Sequence, residues 1–238
     1  MAGVAVIMPA LNESGNIGAL VSTLTEGLGI AVVVVDDRSG DSTATVARET
    51  GALVLTLPTR LGAWGATQTG LRYALREGYE IMITMDADGQ HNPYDVPSLL
   101  TYMLNNDVDL VIGSSPERGT NLRRFAWRLL RFASGLPWKD LTSGYRVLNR
   151  QAASVFTSKL ASTLDYQDIG LLILSQKSGL RVREIPVSMS RRYDGKSRIF
   201  NSWWAVCSYM SKSILLSVAW RATPISRRSP STGQGQDE

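Results

Sequence analysis

Two carboxylates one residue apart close an apolar run: Ile81-Met82-Ile83-Thr84 is followed by Met85-Asp86-Ala87-Asp88-Gly89-Gln90-His91-Asn92-Pro93. Strand periodicity is two, so Asp86 and Asp88 face the same way. Two hard oxygen ligands at a strand mouth suit a divalent cation that also holds a phosphate. An Asp-Gly turn that merely stops the strand uses the same residues, and from this stretch alone both readings stand. An EF-hand does not fit: Gln90 occupies the fifth position, His91 replaces the required glycine, and a strand precedes the loop.

Asp36-Asp37-Arg38-Ser39-Gly40-Asp41-Ser42-Thr43 repeats the theme of acids, a turn and a Ser/Thr helix start. Asp41 or Ser42 suits a helix cap. Asp36 and Asp37 end a fully apolar strand, where a carboxylate can accept hydrogen bonds from a nucleobase or ribose. Gly62, Gly65 and Gly70 follow Arg60 and serve either close approach of phosphate or helix packing; their spacing is not that of a Rossmann fingerprint. His91 is the only histidine, which sets aside His-rich zinc sites and leaves a Ser-His-Asp triad only this one residue.

The elements that must position these groups form an α/β pattern. Val4–Met8, Ala31–Val35, Leu53–Leu55, Ile81–Thr84 and Leu110–Ile112 read as buried strands, with helices near 15–27, 42–50, 63–77 and 95–105. Near-continuous apolar strands alternating with helices predict a mostly parallel sheet covered on both faces. Ligands of such sheets bind beyond the carboxyl ends of the strands, where Pro9 to Glu13, Asp36-Asp37, Arg60 to Gly62, Asp86 to Gln90 and Gly113 to Ser115 lie. Beyond these come a basic aromatic helix (Leu122 to Phe132), a turn and strand (Asp140 to Leu148), a helix from Asp168 to Lys177 and a strand from Leu180 to Val187.

With 238 residues, 44% of them hydrophobic, the chain can bury one large core. A single cysteine, Cys207, excludes an internal disulfide and fits a reducing, cytoplasmic setting. No secretory signal and no apolar span of about 18 residues is apparent. The net charge is only +4, yet the basic residues gather towards the C-terminus. There Phe200 to Trp220 mixes Trp203, Trp204, Tyr209, Met210, Leu215 and Trp220 with Lys212. Such a segment suits an interfacial membrane helix, or one packed on the domain or in a homo-oligomer interface. Residues 223–238 carry the composition of a disordered tail.

Several stretches together resemble the family 2 glycosyltransferases of the GT-A fold. They are Pro9-Ala10-Leu11-Asn12-Glu13, Asp36-Asp37-x-Ser39-x-Asp41-Ser42-Thr43, Arg60-x-Gly62, Asp86-x-Asp88-x-Gln90, Asp140-x-x-Ser143-Gly144-Tyr145-Arg146 and Arg192-x-x-Gly195-x-Ser197. Within the family, the order is similar to that of dolichol-phosphate mannose synthases and bacterial polyprenyl-phosphate glycosyltransferases.

The resemblance implies a GT-A domain over 1–198 acting at the inner face of the membrane; the amphipathic segment over 199–222, read from composition, follows it. The resemblance also implies a UDP- or GDP-sugar site from Pro9, Leu11, Asn12, Glu13, Asp36, Asp37, Arg60, Gly62, Asp86, Ala87 and Asp88. Asp86, Asp88 and Gln90 would hold Mg²⁺ or Mn²⁺, and Asp88, Asp140, Arg146 and Asp168 are the catalytic candidates. Leu11 stands where the family has a tyrosine, and Ser115 where the synthases have an arginine.

For a lipid phosphate acceptor, Arg124, Arg128, Arg146, Arg192 and Arg198 supply guanidinium groups, with Ser197 beside them. The arginines near 122–131 equally suit a solvated basic face or lipid headgroups. A hydroxyl acceptor would instead need a base, from Asp140 or Asp168. A non-catalytic sugar-nucleotide-binding protein or a nucleotidyltransferase is the alternative of another class, although the loop from Pro9 to Gly15 lacks the basic residue that triphosphate binding asks for. Acids at the strand mouths exclude nucleic acid as a partner on electrostatic grounds.

Overall fold

The computed structural model describes residues 3–115, 128, 130–132, 134–164 and 167–189. The chain alternates β1 (Val4–Ala10), α1 (Ile17–Ser22, continued by a π-helical turn, Thr23–Gly27), β2 (Ala31–Asp36), α2 (Thr43–Glu49), β3 (Leu53–Thr56), α3 (Gly62–Arg76), β4 (Ile81–Thr84), α4 (Val96–Asn105) and β5 (Leu110–Ser114). It continues with β6 (Arg146–Asn149), α5 (Arg150–Phe156), α6 (Lys159–Ser162), α7 (Gln167–Lys177) and β7 (Val182–Pro186).

One seven-stranded sheet has the order β3-β2-β1-β4-β6-β5-β7. β6 alone runs antiparallel, to β4 on one side and β5 on the other; the remaining pairs are parallel. Alternation along the strands feeds two cores. Ala5, Ile7, Val33 and Val35 pack beneath α3, α5, α6 and α7, whereas Val4, Val6, Met8, Val32 and Val34 face α1, α2 and α4. Both faces are covered, which is why these strands are apolar throughout.

The reversed strand has a consequence for the site. Parallel strands bring their carboxyl ends to one edge, and β6 brings its amino end to that same edge, with Arg146 in register with Thr84 and Ile112. Ser143-Gly144-Tyr145-Arg146 is thereby laid beside the Asp86 loop.

Packing settles the role of one glycine. A Cβ at Gly70 would run into the Ile7 side chain and stand 3.0 Å from Val35 Cγ2, so this glycine lets α3 press onto β1 and β2. Gly70→Ala is expected to destabilise the fold by about 1–3 kcal/mol through overpacking, measured by urea denaturation. Wild-type stability in that variant would contradict the close approach.

Candidate functional site

The β1–α1 and β2–α2 loops are laced together before any ligand arrives. Asn12 Oδ1 accepts from Gly40 N at 2.7 Å, Asn12 N donates to Ser39 Oγ at 3.0 Å, and Glu13 N donates to Thr43 Oγ1 at 2.8 Å. Asp36 accepts from Ser39 N at 3.3 Å. Asn12 and Arg38 take left-handed φ values of 53° and 60°, which aim these bonds across the gap.

Asp41 joins the lacing through Thr43 and Ser14. Burial works to raise its pKa, but the bonds from Thr43 and Ser14 outweigh it and hold the carboxyl at about 2, below its ordinary 3.8. The unfolded chain takes up this proton first. The contribution of Asp41 to stability is therefore complete above pH 3.8 and is lost as pH falls through about 2. Asp41→Asn should flatten that acid limb in a series of denaturation curves, and an unchanged limb would contradict the assignment.

Asp37 is buried and bound on both oxygens. It accepts from Leu61 N at 2.6 Å and Gly62 N at 2.9 Å, and so tethers the amino end of α3, where Gly62 adopts φ 76°. The carboxylate satisfies two of the amides that a helix start leaves open and complements the helix dipole. Arg60, just before this tether, is exposed.

At the end of β4, Asp86, Asp88 and Gln90 are all half-buried. Asp86 N donates to His91 Nδ1 at 3.0 Å, and Gln90 N donates to Asp88 Oδ1 at 3.1 Å. Gly144 abuts Asp86: a Cβ there would stand 3.3 Å and 3.4 Å from its carboxylate oxygens. Ala87, between the two acids, is buried and holds the loop to the core. A small cleft opens here, lined by Pro9, Trp64, Thr67, Thr84, Met85, Asp86, Gly144, Arg146 and Phe156.

The donor chemistry at this mouth fits Mg²⁺ or Mn²⁺, which take oxygen ligands and share them with substrate phosphates. Among the described residues no cluster of three or more His, Cys, Asp and Glu side chains forms a cage for a metal. Asp86 lines the cleft and Asp88 stands two residues on in the same loop, beyond the end of β4, and carboxylates so placed suit a cation whose remaining ligands come from a diphosphate.

Across the cleft, Arg146 is buried, with its guanidinium 5.9 Å from the Phe156 ring centroid and Nη2 3.5 Å from Asp168 Oδ1. Asp140 is fully buried. Its carboxylate accepts from Ser115 N at 3.2 Å and from Thr142 N at 3.1 Å, while its own N–H donates to Glu184 at 2.7 Å.

Residues 5–161 match the sequence model of Glycosyl transferase family 2. The chain belongs to that family. This glycosyltransferase is 30% identical over 83% of its length to the polyprenol monophosphomannose synthase of Mycolicibacterium smegmatis, covering 81% of that protein. It is 29% identical over 81% of its length to the undecaprenyl-phosphate mannosyltransferase of Micrococcus luteus, covering 86% of that protein.

Its fold is GT-A. Glucosyl-3-phosphoglycerate synthase from Mycobacterium tuberculosis, solved with Mn²⁺, UDP and glucosyl-3-phosphoglycerate, superposes with a TM-score of 0.68 at 22% identity, covering 94% of this chain and 81% of that one.

Of the site residues expected for this glycosyltransferase, Pro9, Asp86 and Arg146 line one cleft, and Leu11, Asn12, Glu13, Asp37 and Arg60 belong to loops at the carboxyl ends of the strands, with Asp36 ending β2 and Gly62 opening α3. Arg128 is helical and exposed. Arg124, Arg192, Ser197 and Arg198 lie outside the described residues, as do the segment 199–222 and the tail 223–238. Trp64, Thr67 and Phe156 line the cleft without having been signalled by a motif; the one sequence cue was a tryptophan set between Gly62 and Gly65. Among the described residues no helix is long and apolar enough to cross a membrane.

Proposed function

We propose that this glycosyltransferase moves a sugar, with inversion, from a nucleoside-diphosphate donor to a polyprenyl phosphate at the cytoplasmic face of the membrane. The observation that carries the reading is that Asp86 and Arg146 line one cleft, an acid suited to the donor's cation and a buried guanidinium held by Asp168. The names of the two full-length relatives point to the same acceptor class.

In this reading Pro9, Leu11, Asn12, Glu13 and Asp36 line the base and ribose, and Asp37 holds the Arg60–Gly62 turn against them. Asp86, Asp88 and Gln90 would hold Mg²⁺ or Mn²⁺, which when bound would supply positive charge for the departing nucleoside diphosphate. Arg146, itself shielded from water, adds a fixed positive charge to the wall of the cleft, where it acts more strongly than a solvated guanidinium.

A phosphate acceptor is ionised near neutral pH and needs no strong base. Two observations agree with that chemistry. The Asp140 carboxylate is bonded to the backbone of its own loop and of Ser115, which fits an anchor for the loop. The Asp168 carboxylate is engaged by Arg146. Transfer to a hydroxyl would ask one of them to accept a proton.

The end of the described chain supports a role for the cations that follow it in sequence. Ser188 N donates to Asp95 at 3.1 Å, and Met189 forms an antiparallel bridge with His91, so the chain leaves β7 across the Asp86 loop. Arg192 and Arg198 follow Met189 in the sequence. Together with Ser197 they suit the acceptor phosphate, and the basic, tryptophan-rich segment that follows suits the membrane surface that holds the lipid.

The test is a panel of UDP- and GDP-sugars incubated with polyprenyl phosphate or the matching polyprenol and Mg²⁺ or Mn²⁺, followed by mass analysis of the lipid. A glycosyl phosphate lipid formed only from the phosphate is expected. Glycosylated polyprenol, or nucleotide release without a lipid product, would contradict the reading. Full-length protein is also expected to float with anionic phospholipid vesicles and to leave them as salt rises; sedimentation with no lipid attached would remove the membrane part.

A further inference from the structure

We propose that His91 is a positioning residue, which fixes the Asp86 carboxylate and so sets the affinity of the Asp86–Asp88 mouth for a divalent cation. The inference rests on the donor-site reading given above. Met85 N still bonds into the sheet, to Ile7 O at 3.1 Å. At Asp86 this pattern stops, and the Asp86 N–H turns instead to His91 Nδ1, at 3.0 Å. A ring nitrogen that accepts leaves the proton of the neutral ring on Nε2. That nitrogen lies 3.8 Å from Asp86 Oδ2. One imidazole therefore faces both the backbone and the carboxylate of the same acid, holding the former by a hydrogen bond and the latter by a longer electrostatic contact.

The ring has little freedom to move. It is 2% exposed and stacks on Tyr145, with centroids 4.9 Å apart and planes 21° from parallel. Tyr145 is pinned in turn, its hydroxyl donating to Asn92 O at 3.0 Å. Burial first, then the charge of Asp95, pushes that phenol far above its ordinary range and keeps it a donor. The backbone of His91 bridges to Met189 on the far side. Two segments distant in sequence, at Tyr145 and Met189, thus converge on the residue that orients Asp86. Groups that orient metal ligands in this way typically change metal affinity about 10- to 100-fold when removed.

The experiment titrates Mn²⁺ into folded protein with UDP or with GDP present, reading free Mn²⁺ by electron paramagnetic resonance, for the wild type, His91→Asn and His91→Phe. Asn places an oxygen acceptor about where Nδ1 stood; Phe keeps a flat ring against Tyr145 and removes the acceptor. Phe is expected to weaken Mn²⁺ binding about 10- to 100-fold and Asn to stay within about threefold of wild type. Equal binding by all three, equal loss in both variants, or an Asn variant that melts like wild type yet binds Mn²⁺ poorly would each overturn the inference. A wild type that takes up no Mn²⁺ with either nucleotide would overturn the donor-site reading itself, and the inference with it.

Discussion

Asp88→Asn is expected to lower sugar transfer by about a thousandfold while leaving the melting curve in place. The substitution keeps an oxygen to accept from Gln90 N, the bond that shapes the turn at 3.1 Å in the wild type. It removes one of two formal charges at the mouth. Interactions aimed at charge that develops in the transition state are worth up to about 4 kcal/mol each, close to a thousandfold in rate. Dependence on Mg²⁺ or Mn²⁺ should shift to higher metal concentration in the same variant. A rate and metal dependence equal to wild type would remove Asp88 from the site, and an early melt would show that Asp88 serves the turn.

Arg146→Ala is expected to be the most damaging single change to both stability and transfer. The side chain is 4% exposed and the facing Asp168 side chain 19%, so the pair is largely shielded. Removing one member of a buried pair costs about 3–5 kcal/mol; the residual exposure of Asp168 places this one near about 3 kcal/mol. Lost packing against the Phe156 ring adds to it. Replacing both partners by apolar residues, Arg146→Met with Asp168→Leu, should recover most of the stability in urea denaturation and none of the transfer. Full stability in Arg146→Ala would contradict the pairing, and restored transfer in the double variant would show that the guanidinium has no part in the chemistry.

The parts of the fold legible in the sequence were those written in local pattern. Ala31-Val32-Val33-Val34-Val35 and Ile81-Met82-Ile83-Thr84 are apolar on both faces, and the structure has strands at both, Ala31–Asp36 and Ile81–Thr84, inside the sheet. Helices read near 63–77 and 95–105 are found as Gly62–Arg76 and Val96–Asn105. The rule that ligands gather at the carboxyl ends of strands then brought Asp36-Asp37 and Asp86-Asp88 to one edge.

What was not legible depends on pairing across long stretches of chain. Arg146-Val147-Leu148-Asn149 has only two apolar residues, and nothing local says that it enters the sheet reversed between β4 and β5. The short helices Arg150–Phe156 and Lys159–Ser162 were missed because their starts rest on single side-chain caps, Asn149 to Ala152 N and Ser158 to Ala161 N. Asp37 was legible as a candidate ligand for nucleotide, and its tethering of α3 was not. Its observed bonds go to backbone amides of Leu61 and Gly62, partners that only the folded chain brings near. His91 was seen chiefly as a lone histidine that closes off other chemistries, and its bond to Asp86 N was beyond the reach of spacing alone.

The central claim is that the mouth formed by Asp86 and Asp88 holds the donor diphosphate through a divalent cation. Anomalous scattering from crystals grown with Mn²⁺ and UDP or GDP tests it directly. The account predicts one Mn²⁺ peak at coordination distance, about 2 Å, from carboxylate oxygens of Asp86 or Asp88, with diphosphate oxygens completing its shell. A nucleotide bound with its diphosphate away from these carboxylates, or a Mn²⁺ peak at another edge of the sheet, would contradict it.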